Sequence, residues 1–332
     1  MNTVGDMART LLLRTHHTRL NREMDQLGVE LATGFVRDPA THLAGDVTGL
    51  VAIDRTLAQL EAFRLNTAEA SLLAGTMQTT LSEIQTRAEA VSQVLLSAAL
   101  TPSSEMLSTL SEEASNAFGQ MVSGLNRGIG GRYLFAGTTT DTPPLADPEA
   151  MLADLRGALA GETTVAGVDA ALDAWFGSGG GFETMGYLGS QDGLAPLRLS
   201  RTETAALDIR ADNQVFRDVL KMMAKAALAT DPTLGLPLEV QTGLMAKAGR
   251  DLLQAQAPVV ELRAGLGALE ARIEETTTRN AAETTAMSLA RLDLVGIDQF
   301  DTAARYENTR SQLEALYAIT VRSSRMSLTE FF

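Results

Sequence analysis

Two apolar stripes, one near each end of the chain, constrain this sequence more than any other feature. Near the N-terminus Leu13, Leu20, Met24, Leu27 and Leu31 recur at helical spacing and share one face. Near the C-terminus Leu313, Leu316, Tyr317 and Thr320 form a similar stripe, and Leu328 follows in the closing Ser327–Phe332. Chain ends usually fray and tolerate polar sequence. A lone amphipathic helix cannot offset its ordering entropy without a partner face. The two ends are therefore expected to pair with each other and with neighbouring molecules, and to order largely on assembly. That points to an assembly protein.

Charge supports this division of labour. The net charge of −14 argues against non-specific binding to nucleic acid or to an anionic membrane. Residues 1–44 hold five acids and five arginines, and residues 295–332 hold five acids and four arginines, so −13 falls on residues 45–294. Near-neutral ends can pack into a crowded polymer while an acidic middle stays solvated. The basic residues are almost all arginine, with Lys221, Lys225 and Lys247 the lysines. With 45% hydrophobic but 5% aromatic residues, the chain suits long helices packed side by side.

The pattern between the ends is nested. Ala32 to Pro39 carries Gly34 and Asp38-Pro39, which stop the first helix. A long helical pattern runs from about 45 to 99, with Leu50, Ile53, Leu57 and Leu60 and then Met77, Leu81, Ile84, Ala88, Val91 and Leu95 on its seam. Thr101 as N-cap with Pro102 in the first turn predicts a second helix over about 103–127. Gly128-Ile129-Gly130-Gly131 then turns the chain into a short strand at Arg132–Phe135. Short helices are expected after Asp147-Pro148 and over about 168–176. Gly177–Gly181 reads as a flexible connector, with strands near 183–189, 194–201 and 204–211. Helices resume at Asn213, and one long pattern over about 238–294 is kinked at Pro258. A last helix covers about 299–325.

The expected fold is mainly α. The N- and C-terminal arms form a long antiparallel helical bundle or coiled coil with a small mixed α/β insertion. Residues 1–44 and 295–332 would form a terminal coiled-coil assembly domain, 45–140 and 200–294 a long-helix bundle, and 141–199 an inserted outer domain.

Signals for chemistry are absent from the sequence. There is no cysteine, which removes disulfides, thiol catalysis and cysteine-based metal sites. His16, His17 and His42 lack the spacing of a metal face and read as solvated or packed. Gly128–Gly131 lacks the strand–glycine–helix order of a nucleotide loop and reads as a turn. Carboxylates are scattered along helix faces rather than paired for acid–base work. Neither a catalytic residue, a cofactor site nor a metal site is predicted. No apolar run approaches the ~18 residues of a membrane span, and no cleavable signal of the general secretory type is visible.

Three ordered motifs carry a resemblance. Asn126 to Thr138 contains Gly131-Arg132-Tyr133-Leu134-Phe135-Ala136-Gly137, Tyr187-Leu188-Gly189-Ser190 is followed by Asn213-Gln214-Val215-Phe216, and the closing helix contains Leu313-Glu314-Ala315-Leu316-Tyr317. The chain resembles the bacterial flagellin superfamily, and within it the hook-associated proteins that join hook to filament. Roughly 1–140 and 187–332 take part in the likeness. Of the family's usual linker after the first helix, Thr33–Pro39 keeps Gly34, Arg37, Asp38 and Pro39.

The resemblance implies a structural, non-enzymatic axial protein of the flagellum. It would be exported unfolded through the flagellar type III channel without a cleaved signal, and would lie outside the cell. Its implied partners are copies of itself, the hook-side hook-associated protein, flagellin and a cytoplasmic export chaperone. The subunit interface would use Leu13, Leu20, Met24, Leu27, Leu31, Leu313, Leu316, Tyr317 and Leu328. A flagellin filament subunit and a generic coiled-coil scaffold remain the alternative readings, with an enzyme more distant.

Overall fold

The computed structural model describes residues 3–98 and 103–329. In chain order the elements are α1 (Thr3–Thr33), α2 (Pro39–His42), α3 (Thr48–Ala98), α4 (Ser104–Leu125), β1 (Gly128–Ile129), β2 (Arg132–Tyr133), α5 (Pro148–Ala158), α6 (Val165–Phe176), β3 (Leu197–Arg198), β4 (Thr204–Ala205), α7 (Gln214–Leu228), α8 (Leu238–Gln254), α9 (Gln256–Val295) and α10 (Gln299–Thr329). The protein is mainly helical, with two small antiparallel β pairs, β1–β2 and β3–β4. Contacts divide it into two compact units, 1–62 with 280–332, and 63–279.

In the first unit α1 packs against α10. The pair is antiparallel, because His17 meets Tyr317 while Gly28, eleven positions on, lies against Tyr306, eleven positions back. Each stripe thus has its partner face within one chain. The breaker after α1 works through side-chain capping, with the Asp38 carboxylate accepting from the Thr41 N–H (3.1 Å) ahead of Pro39.

The second unit owns the larger core. Met77, Leu81, Ile84, Ala88, Val91 and Leu95 of α3 are buried there, as the seam predicted, with Leu266 and Ile273 of α9. Leu107, Leu110, Ala114, Ala117, Met121 and Leu125 form the buried side of α4, which packs on α7. Polar side chains inside this core are satisfied by backbone. Ser92 donates to the Gly249 carbonyl (2.8 Å) and Ser111 to that of Ala227 (2.5 Å), each joining helices distant in sequence.

All three lysines of the chain converge on the junction of α6, α7 and α8. Lys221 pairs with Asp173 (2.9 Å), and Lys225 lies 2.6 Å from Asp169 and 3.3 Å from Asp251, while Lys247 also pairs with Asp169. Lys225 is buried. Burial works against a charged Asp169, but the two ammonium groups prevail and hold its carboxyl below the usual range.

Several local expectations change. Thr101 and Pro102 lie outside the described residues, and the cap of α4 is Ser103, whose hydroxyl accepts from the Met106 N–H (3.3 Å). The pattern over 238–294 is broken rather than kinked. The break falls at Ala255, and Pro258 occupies the first turn of α9, where its missing N–H costs little. The strand expected near 183–189 begins instead as a π-helical turn, Phe182–Gly186. The end of Gly177–Gly181 is packed rather than loose: a Cβ at Gly181 would collide with the Trp175 indole, and one at Gly180 with the Trp175 carbonyl. Trp175, Phe176 and Phe182 form an aromatic cluster there, with the Arg217 guanidinium 5.0 Å above the Phe182 ring.

Candidate assembly surface

The terminal pair is built from the predicted stripes, with unequal contributions. Leu20 and Leu27 are buried, and Leu13, Met24 and Leu31 are half-buried. On α10, Leu313 is buried and Leu316 half-buried, whereas Thr320 is exposed. Tyr317 is 49% exposed and sits at the edge of the seam, where its hydroxyl lies 2.8 Å from His17 Nε2 with the rings edge to face. The side chain of Leu328 lies outside the described residues.

Hydrophobicity alone missed part of this seam. Thr302 and Thr309 are buried with Leu313, and half-buried Tyr306 completes a 4–3–4–3 spacing from Thr302 to Leu316. The Thr309 hydroxyl donates back to the Arg305 carbonyl (2.9 Å), so its polarity is met within the helix and its methyl is free to pack. Counting threonines as seam residues would have found the register.

The turns flanking the pair are bound together. Phe35 and Gly296 form an isolated antiparallel bridge, with the Val36 N–H donating to Val295 O (2.9 Å) and the Ile297 N–H to Gly34 O (3.1 Å). Arg291 covers Phe35 at 4.4 Å and donates through Nε to Asp54 (2.8 Å). Buried Glu30 accepts from the Arg37 N–H (3.1 Å) and from Gln26 (2.9 Å). On the outside of the same helices Met7, Leu11, Leu12, Phe300, Ile319 and Val321 are exposed, an unusual load of bare apolar side chains.

The motif Gly131–Gly137 lies in the other unit and serves as a fastening point. Gly130 and Gly131, both with positive φ, make the two-residue turn between β1 and β2. Arg132 pairs with Glu69 (3.0 Å) on α3, and the Tyr133 N–H donates to Thr140 O (2.8 Å). Leu134 and Phe135 are buried, with Phe135 edge-on to Phe216 of α7. The Phe135 carbonyl accepts from the Ala211 N–H (2.9 Å) and that of Ala136 from the Ser190 N–H (2.9 Å). Two motifs separated by some fifty residues are thereby joined. Tyr187 completes the lock by donating its hydroxyl to Ser190 O (2.6 Å), and burial, with Asp212 nearby, pushes its pKa up to about 12.

Among the described residues no group of three or more His, Asp or Glu side chains is placed to hold a metal ion. No helix of the described residues is long and apolar enough to cross a membrane.

Comparison with known proteins agrees with these features. Residues 252–332 match the bacterial flagellin C-terminal helical region, which takes in α9 and α10. No curated protein matches the sequence. Among solved structures, a provisionally assigned flagellar hook-associated protein from Vibrio parahaemolyticus is similar in fold, with a TM-score of 0.53 and 15% identity over 77% of this chain and 98% of that one. FlgL from Bacillus cereus is similar at a TM-score of 0.52 and 15% identity, over 73% of this chain and 99% of that one. The C-terminal helical region is thus similar to that of bacterial flagellins, and the fold is similar to that of these two flagellar structures.

Proposed function

We propose that the protein is a structural axial component of the bacterial flagellum that forms the junction layer between hook and flagellin filament. The observation that carries this reading is the antiparallel α1–α10 pair, which coincides at its C-terminal half with the matched flagellin helical region and bears exposed apolar residues on its outer side. A helix pair of this kind gains stability by burying its outer face against neighbours, so its ordering and its assembly are coupled. In this role it contacts copies of itself, a hook-side hook-associated protein and flagellin, and is held before export by a cytoplasmic chaperone. Export through the flagellar type III channel places it outside the cell. Leu20 and Leu27 with Leu313 and Leu316 set the seam, while the 131–137 motif fastens the middle of the chain.

The likeness in fold to hook-associated structures supports the junction role. The flagellin C-terminal match supports a filament subunit equally well, which keeps that as the second reading. Deletion of the gene in the source organism separates them. A junction protein leaves bare hooks with flagellin released into the medium, whereas complete filaments on the deletion strain would overturn the proposal. Seeding the purified protein on isolated hooks gives a second readout: a thin layer supports a junction protein, and long filaments support a filament subunit.

A further inference from the structure

We infer that an acidic-rimmed apolar groove in the 63–279 unit receives the outer face of α1 from a second copy of the chain. The inference rests on the self-assembly reading above and names a contact within it.

The groove encloses about 560 Å³ between the extended segment Ala206–Ile209 and the first half of α9, with Leu207, Ile209, Leu262 and Leu266 on its walls. Its middle is left open by Gly265, where a Cβ would meet nothing within 4 Å. The rim is negative. Its lining carries the carboxylates of Glu261, which is exposed, and of Asp208, whose partner Arg210 (3.1 Å) is shared with the largely buried Asp212 (3.0 Å). A cavity of this size accepts a few side chains rather than a whole helix. The chemistry it asks for is a pair of apolar side chains with a flanking cation.

The outer face of α1 offers that combination. Leu11, Arg14, Thr15, Thr18 and Arg22 fall on one side of the helix, opposite the Leu20–Leu27 seam. Leu11 and Leu12 are 66% and 59% exposed, and Arg14, Arg19 and Arg22 are exposed with no carboxylate partner among the described residues. Up to position 22 the chain has Asp6 against Arg9, Arg14, Arg19 and Arg22, a basic stretch in an otherwise acidic protein. Leu11 entering the groove, with Leu12 against its edge, would bring Arg14 to the Asp208 and Glu261 rim. Because groove and helix are different surfaces of one chain, the contact can be made head to tail and so propagate into a ring or layer.

The absence of native cysteine makes the test direct. Full-length Leu11→Cys and Gly265→Cys variants are mixed at assembling concentration and oxidised. The expected product is a disulfide between one variant and the other, formed in preference to either variant with itself. In a second arm, Arg14→Glu should weaken self-association roughly tenfold, and Glu261→Arg in the same chain should restore it. Assemblies that sediment normally but yield no mixed disulfide, and whose stability ignores Arg14→Glu, overturn the contact and leave the assembly reading standing. Protein that stays monomeric at every concentration overturns both.

Discussion

Asn126 holds Leu145 by both of that residue's backbone groups: its amide Nδ2 donates to the Leu145 carbonyl (2.9 Å) and its Oδ1 accepts from the Leu145 N–H (2.8 Å). One side chain thus acts as a strand edge, tying the end of α4 to the segment leading into α5. Leu145 is itself buried, so water cannot replace these bonds. Asn126→Ala should lower stability by about 2 kcal/mol. Asn126→Asp, which keeps the acceptor and loses the donor, should cost a similar amount. Equal melting midpoints for all three proteins in urea would contradict this account.

Gly137 is a second fixed point. Its φ is +64°, and an added Cβ would lie 2.8 Å from the Ser190 carbonyl and closer still to that of Asp192. These are backbone atoms, held by the Thr138 N–H donating to Asp192 O (3.0 Å) and the Ser190 N–H donating to Ala136 O (2.9 Å), so they cannot step aside cheaply. Gly137→Ala should destabilise the protein by about 3 kcal/mol. Thermal melting followed by the fluorescence of Trp175, the chain's one tryptophan, is the measurement.

Acid sensitivity should centre on Asp169. Its folded pKa is depressed by Lys225 and Lys247, so its contribution is present above the ordinary carboxylate pKa and is lost as pH falls through the lower folded value. Asp169→Asn should cost about 3 kcal/mol at neutral pH, because buried Lys225 keeps only Asp251 at 3.3 Å. The gap between variant and wild type should then shrink as pH falls below the ordinary carboxylate value of about 4, where the unfolded chain takes up the proton first, and close only below the lower folded value. A gap that stays constant from pH 7 to pH 3 would remove the charge explanation.

The terminal seam makes a different kind of prediction. Leu20→Asp with Leu27→Asp buries two carboxylates at residues that are now 5% and 1% exposed. Incorporation into higher assemblies should be abolished, while the Trp175 melting transition of the 63–279 unit stays within a degree or two of wild type. Normal incorporation and motility would show that this seam is dispensable.

Much of the architecture was legible because helices advertise themselves locally. The seam from Met77 to Leu95, the buried side of α4, the Asp38-Pro39 stop and the helix starts at Asp147 and Asn213 all depend on residues within a turn or two of one another. What failed was also local in cause. Gly177–Gly181 reads as a loose linker from composition, but at Gly180 and Gly181 the Trp175 backbone and ring leave no room for a side chain. Thr302 and Thr309 escape a hydrophobicity count because it gives no weight to a threonine methyl, even where, as at Thr309, the hydroxyl is satisfied by its own helix.

The sequence by itself determined that this chain would be helical, that its ends would carry complementary stripes, and that its charge would concentrate between them. Periodicity and composition suffice for those, since each is a property of neighbouring residues. Only the tertiary structure decided which stripe residues are buried and where the three lysines go. It alone showed that the 131–137 motif fastens to Ser190, Ala211 and Phe216. Those outcomes depend on pairings between residues far apart in the chain, from Lys225 with Asp251 to His17 with Tyr317. No local pattern encodes such a pairing, because its free energy exists only once both partners have been brought together and shielded from water.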